Sequence, residues 1–95
     1  MSGQSHKNLA VWQKSMDMVA SVYSISKQFP KEEIYSLTNQ IRRAAVSVPS
    51  NIAEGKARYS TKDFMRFLLI ARGSIAELYS DSVIWRKKHL TANRE

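Results

Sequence analysis

Apolar residues recur at three- and four-residue steps in three separate stretches of the chain, the spacing that places side chains on one face of a helix. In the first, about residues 9–28, Trp12, Met16, Val19 and Tyr23 align on one face, the expected core side. Val11, Met18, Ile25 and Phe29 fall on a strip beside it, and Gln13, Lys14, Asp17, Ser21, Ser24 and Gln28 take the remainder. Nearly half the circumference is therefore apolar, more than one neighbouring helix covers.

Phe29-Pro30 breaks the pattern, because proline lacks an amide hydrogen and disfavours helical geometry in the residue before it. A second helix is predicted over about 31–55, with Pro30 in its first turn and Glu32 and Glu33 facing the positive end of its dipole. Ile34, Leu37, Ile41, Ala44, Ala45, Val48 and Ile52 form its stripe, the clearest in the chain. The stripe runs to Gly55, read as a left-handed terminator. Pro49 removes one backbone bond and crowds the carbonyl of Ala45, but the apolar register holds on both sides of it, so a kink is expected rather than a stop.

A third helix is predicted over about 60–88. Ser60 and Asp63 have the spacing of a capping box with the shorter acid. Phe64, Phe67, Leu68, Ala71, Ile75 and Leu78 follow on one face, which continues to Ser82 and Trp85. On the other side Gly73, Ala76 and Ser80 form a line of small residues flanked by Leu69 and Ile70. A mid-helix glycine costs roughly 1 kcal/mol unless packing offsets it, which favours a second packing surface over ordinary exposed alanine and glycine. Short links force sequential helices to run antiparallel, so the pattern predicts an all-α, up-and-down bundle in one domain spanning residues 1–95. The extra apolar strips on the first and third helices predict self-association into a closed symmetric ring or dimer.

The length, 95 residues, allows one core and little more, and the absence of cysteine excludes disulfides and thiolate ligands. No stretch approaches the roughly 20 apolar residues of a membrane span, and Met1 to Lys7 lacks the apolar run of a signal peptide, which points to the cytoplasm and away from the membrane. The two histidines, His6 and His89, have no companion at metal-ligand spacing, and no Glu has a His three residues on. Ser47, Ser50 and Ser74 have no adjacent histidine to act as base, and the three glycines make no phosphate loop. The expectation is a protein without enzymatic activity, metal or cofactor.

Fifteen Lys and Arg against eight Asp and Glu leave a formal charge of +7, suited to a polyanionic partner. Arg43 lies opposite the core stripe of the second helix among Ser36, Asn39, Ser47 and Ser50, and Arg42 at the stripe's edge. Lys56, Arg58, Lys62 and Arg66 cluster about the next turn with Tyr59 among them. Such a cluster can neutralise phosphates while the tyrosine stacks on an unpaired base. The other readings are that Arg42 pairs with an acid on a neighbouring helix, that Arg58 and Lys62 are simply solvated, and that Arg86, Lys87 and Lys88 complement a helix dipole.

The segments LAVWQK (9–14), Phe29-Pro30, EIYSL (33–37), QIRRAAVSVPSNIAEG (40–55), Phe64, Phe67-Leu68 and ARGSIAEL (71–78) resemble the four-helix-bundle proteins encoded in intervening sequences of bacterial 23S ribosomal RNA genes. The resemblance covers about residues 7–78. It implies an up-and-down four-helix protomer assembled as a homopentamer, and a relation to the accessory protein of diversity-generating retroelements, a basic ring that binds nucleic acid and a reverse transcriptase. By that analogy Arg42, Arg43, Lys56 and Arg58 face nucleic acid. Ser36 stands where relatives commonly carry glycine. After Leu78 the family pattern gives way to a segment too short to finish the third helix and supply a fourth. Because Ser82 and Trp85 keep the core register, the third helix is expected to run on and the fourth to be truncated or absent. The combined expectation is a homo-oligomeric, RNA-binding bundle. The alternative is a scaffold for a protein partner, a nucleic-acid enzyme such as a reverse transcriptase.

Overall fold

The computed structural model describes residues 5–90, Leu90 by its backbone alone, and the readings for residues 1–4 and 91–95 lie outside it. Among the described residues three α-helices form: α1 over Ala10–Ser26, α2 over Leu37–Lys56 and α3 over Thr61–Leu90. A 3-10 turn, His6–Asn8, precedes α1, and another, Lys31–Glu33, lies between α1 and α2. Among the described residues there is no strand, and no helix is long and apolar enough to cross a membrane. The protein is an all-α bundle.

α2 is the central helix. Its first half, through Leu37, Ile41, Ala44 and Ala45, packs against Leu78 and Trp85 of α3 and against Met18, Val19 and Val22 of α1. Its second half, through Val48 and Ile52, packs against Leu68 and Ala71 of α3 and against Trp12 of α1. The early part of α2 thus meets the late parts of its neighbours and the reverse, which is the antiparallel arrangement. α1 and α3 flank α2 without closing on each other, no Cα of one coming within 8 Å of the other. The result is an open, elongated body of 58 × 21 × 20 Å.

Four local expectations are corrected. The centre of α1's buried face is held by Ser15 and Ser26, while Met16 and Tyr23 are exposed. Small serines allow close approach to α2, and their hydroxyls bond back to the carbonyls of Trp12 at 2.7 Å and Tyr23 at 3.3 Å. The second helix starts at Leu37 rather than near residue 31: Lys31–Glu33 forms a separate 3-10 turn, Ser36 leaves helical geometry, and Glu33, expected in the first turn facing the dipole, is buried at 3 % exposed. Ile34 is accordingly exposed. Gly55 is no left-handed terminator: it lies inside α2, and no glycine among the described residues has positive φ. A Cβ there would sit 2.7 Å from Phe67 Cβ and 3.0 Å from Phe64 Cδ1, so the glycine permits α3 to approach. Ile75, finally, is exposed rather than buried on α3.

α2 continues unbroken through buried Pro49. Ser60 caps α3, its Oγ accepting from the Asp63 amide at 3.1 Å. α3 runs 30 residues with no fourth helix among the described residues, and Gly73 on its outward side has no neighbour within 4 Å of an added Cβ.

Candidate nucleic-acid interface

The close crossing of α2 and α3 at Gly55 leaves Phe64 and Phe67 half-buried at one end of the bundle. These rings organise the basic residues around them. Lys56 Nζ lies 5.9 Å from the Phe64 centroid, and the Arg58 and Arg66 guanidinium carbons lie 4.7 and 5.2 Å from that of Phe67. Cations over aromatic faces keep their charge while their stems are held in place. Arg58 also pairs with Glu54 at 3.2 Å and Arg66 with Asp63 at 3.7 Å, both exposed pairs of small energetic weight. Lys62 is exposed in the first turn of α3 and makes no ion pair among the described residues, and Tyr59 in the connecting turn is fully exposed. Lys56, Arg58, Lys62 and Arg66 therefore share one end of the molecule.

The structure separates the two arginines of α2 from this group. Arg43 is exposed, thirteen positions and roughly 20 Å along α2 from Lys56, and turned to another side of the helix. Arg42 is half-buried: its Nε donates to Ser26 Oγ at 2.8 Å and its guanidinium lies 4.8 Å from the Tyr23 centroid. It ties α1 to α2 through a hydroxyl and an aromatic face, not through the acid expected as the alternative. Ser47, read as a polar neighbour of Arg43, is half-buried and meets Ser74 of α3 at 2.7 Å, with Asn51 Nδ2 donating to Ser47 Oγ at 3.0 Å. These serines form a polar link between helices. Among the described residues no three His, Asp or Glu side chains converge where they could hold a metal.

A second charged cluster escaped the sequence reading. The buried carboxylate of Glu33 accepts from Ser36 Oγ at 2.7 Å and lies 2.6 Å from Lys88 Nζ and 2.9 Å from His89 Nε2. The bond from Lys88, then that from Ser36, outweighs burial and lowers the Glu33 pKa from 4.5 to about 2. Trp85 stacks on Phe29 at 4.2 Å beside this cluster, with His89 at 4.6 Å. Nearby in α3, Asp81 is buried with Oδ2 unpartnered, and burial first, then repulsion from Glu77, raises its pKa. Ser36 alone does not mark Glu33 as inward-facing in the sequence, and its other partners, Lys88 and His89, lie on α3.

A family model described as 23S rRNA-intervening sequence protein matches residues 7–95. The chain, an all-α bundle by its fold, belongs to that family. Among curated proteins, none matches it.

Proposed function

We propose that this is a non-enzymatic helical-bundle protein that binds RNA by charge and shape through the end where α2 meets α3. The observation that carries the reading is the grouping of Lys56, Arg58 and Arg66 about the Phe64 and Phe67 rings, with exposed Lys62 and Tyr59 close by in sequence at the same turn. Cations supply the sequence-independent attraction to phosphates, and an exposed ring stacks on unpaired bases. The family's description names a 23S rRNA intervening sequence, which makes RNA the first polyanion to test. Arg43 extends the basic surface as a separate contact. Arg42 leaves the proposed contact set because Ser26 and Tyr23 already engage it.

Self-association belongs to the proposal. The outward side of α3 carries Gly73, Ala76 and Ser80 in the open, bordered by exposed Leu69, Ile70, Val83 and Ile84. Small residues admit a second backbone and the flanking side chains supply apolar area. The family resemblance implies five copies, and repeating the basic end around a ring would multiply its charge. Light scattering with and without structured RNA, repeated over a salt series, tests both parts. Expected are a multiple of the chain mass and an affinity falling linearly in log–log terms with salt. A monomer at high dilution defeats the assembly, and undetectable or salt-insensitive RNA binding defeats the function. A second reading, a scaffold for a protein partner, rests on the open space between α1 and α3.

A further inference from the structure

We propose that the cleft where the first 3-10 turn meets α1 and α2 seats a terminal nucleotide, its base against Trp12 and its phosphate monoester between His6 and Lys56. That the nucleotide is a strand end rests on the RNA reading above, while the chemistry of the cleft stands without it.

Two cavities, of about 300 and 210 Å³, adjoin there, and among the described residues none of α3 lines either. They share His6 and Ala53 and so form one cleft with two halves of different chemistry. The larger half is apolar, walled by Trp12 and Met16 of α1 and by Val46 and Pro49 of α2, with the exposed Ser50 hydroxyl at its side. The smaller half is polar, lined by Ser5, His6 and Lys56. His6 is fixed where the halves join. Its ring meets that of Trp12 edge-on, centroids 5.0 Å apart, and the turn it begins is held by Gln13 Nε2 donating to the Lys7 carbonyl at 2.8 Å. A nucleotide has the matching division, since a base offers an apolar face for an aromatic ring and its phosphate offers charge.

The donors of the polar half favour a terminal phosphate over an internal one. Ser5 Oγ accepts from the Lys7 amide at 3.2 Å, which leaves its own hydrogen to donate. His6 adds a ring N–H, and Lys56 adds an ammonium that makes no ion pair among the described residues. No acidic residue among those described lines either half. A phosphate monoester carries a charge of about −1.5 to −2 and three acceptor oxygens, whereas a phosphodiester carries one charge and has two oxygens free. An acidic peptide fits less well, because its carboxylate brings no ring for the apolar half. Lys56 also lies 5.9 Å from the Phe64 centroid, so the cleft is continuous with the basic end, and a strand anchored here would run on toward Arg58 and Tyr59.

Two measurements on the whole protein test this. In the first, adenosine 5′-monophosphate, adenosine and inorganic phosphate are titrated separately and followed by NMR. The monophosphate is expected to bind about tenfold tighter than either fragment and to shift the signals of His6, Trp12 and Ala53. Shifts that map elsewhere, or inorganic phosphate binding as tightly as the nucleotide, overturn the proposal. In the second, unlabelled single strands of one sequence, bearing a 5′-phosphate, a 3′-phosphate or neither, compete with a labelled strand. A phosphorylated end is expected to compete about tenfold better than none, and the preferred end identifies the source of the nucleotide. Equal competition by all three overturns the proposal while leaving the RNA reading intact. If no strand binds at all, the RNA reading falls and the mononucleotide titration alone decides the cleft. Ala53→Leu fills the junction of the two halves with a good helix former and is expected to abolish the preference for a phosphorylated end. These comparisons on the native protein need no variant to fold, and circular dichroism checks the one that is used.

Discussion

Lys88 Nζ lies 2.6 Å from Glu33 Oε2, fastening the last turn of α3 to the link that leads into α2. With Ser36 and His89 it holds the Glu33 pKa at about 2 against an ordinary 4.5. A carboxylate whose folded-state pKa is lowered contributes its full stability above the unfolded value and loses it as pH falls through the folded one. The Glu33 contribution is therefore intact above about pH 4.5 and gone near pH 2. Glu33→Gln is expected to lower the urea midpoint at pH 7 and to flatten the fall in stability across that window. Equal acid sensitivity of variant and native protein between those pH values would refute the role.

Asp81 acts with the opposite sign. Burial and then Glu77 raise its pKa, so the folded state disfavours its charged form. That penalty is complete above the folded-state pKa and fades as pH falls through it toward the unfolded value. Replacing Asp81 by Asn is expected to stabilise the protein at pH 7 by roughly 1 kcal/mol, since an unpartnered buried charge is removed, with a smaller gain in acid. Chemical denaturation at pH 7 decides it: an unchanged or lower midpoint is the contrary result.

Two glycines in helices are expected to respond oppositely to alanine. At Gly55 the gain in helix propensity, about 1 kcal/mol, is opposed by contact with Phe67 Cβ, a stem atom that cannot rotate away. The start of α3 must shift, and a net loss of about 1–2 kcal/mol is expected. At Gly73 nothing lies within 4 Å, so Gly73→Ala is expected to stabilise the isolated chain by about 0.5–1 kcal/mol. If the outward side of α3 is the proposed seam between copies, the same methyl weakens assembly. Denaturation and sedimentation of the two variants separate these effects.

The legibility of these features follows from where their causes lie. The α2 stripe was readable because a helix packed on both sides must be broadly apolar, and Leu37 to Ile52 say so locally. The third helix was readable to its basic end because Trp85 kept the register. The buried face of α1 was displaced because its centre consists of Ser15 and Ser26, which an apolar count passes over. Gly55 was misread for a similar reason: its local sequence matches a helix terminator, while the cause is Phe67 in the next helix. Glu33 finds His89 56 positions away, a pairing no window contains. Of the candidate site, Lys56 to Arg66 was legible because one turn brings it together, whereas Arg42 depends on Ser26 and Tyr23 across a helix boundary.

The same distinction separates the basic residues by their expected effects on RNA. Arg58→Glu with Lys62→Glu removes two phosphate partners and installs repulsion, so binding to unrelated RNA sequences should fall about equally and the log–log salt slope should shrink by roughly one to two. Arg43→Glu lies some 20 Å away and is expected to give a smaller loss, larger in an assembled ring than in a dilute protomer. Arg42→Ala behaves differently, because its bond to Ser26 and its place over Tyr23 join α1 to α2. Its expected signature is a loss of stability of about 1–2 kcal/mol with RNA affinity per folded molecule unchanged. Tyr59→Ala isolates stacking: it should weaken single-stranded RNA by about 1–3 kcal/mol and leave a fully paired duplex nearly untouched. Filter binding on single-stranded and duplex RNA, with the folded fraction measured in parallel, reads all four variants. If Arg42→Ala weakens RNA binding without loss of stability while Arg58→Glu with Lys62→Glu does not, the interface lies along α2 and not at the α2–α3 turn.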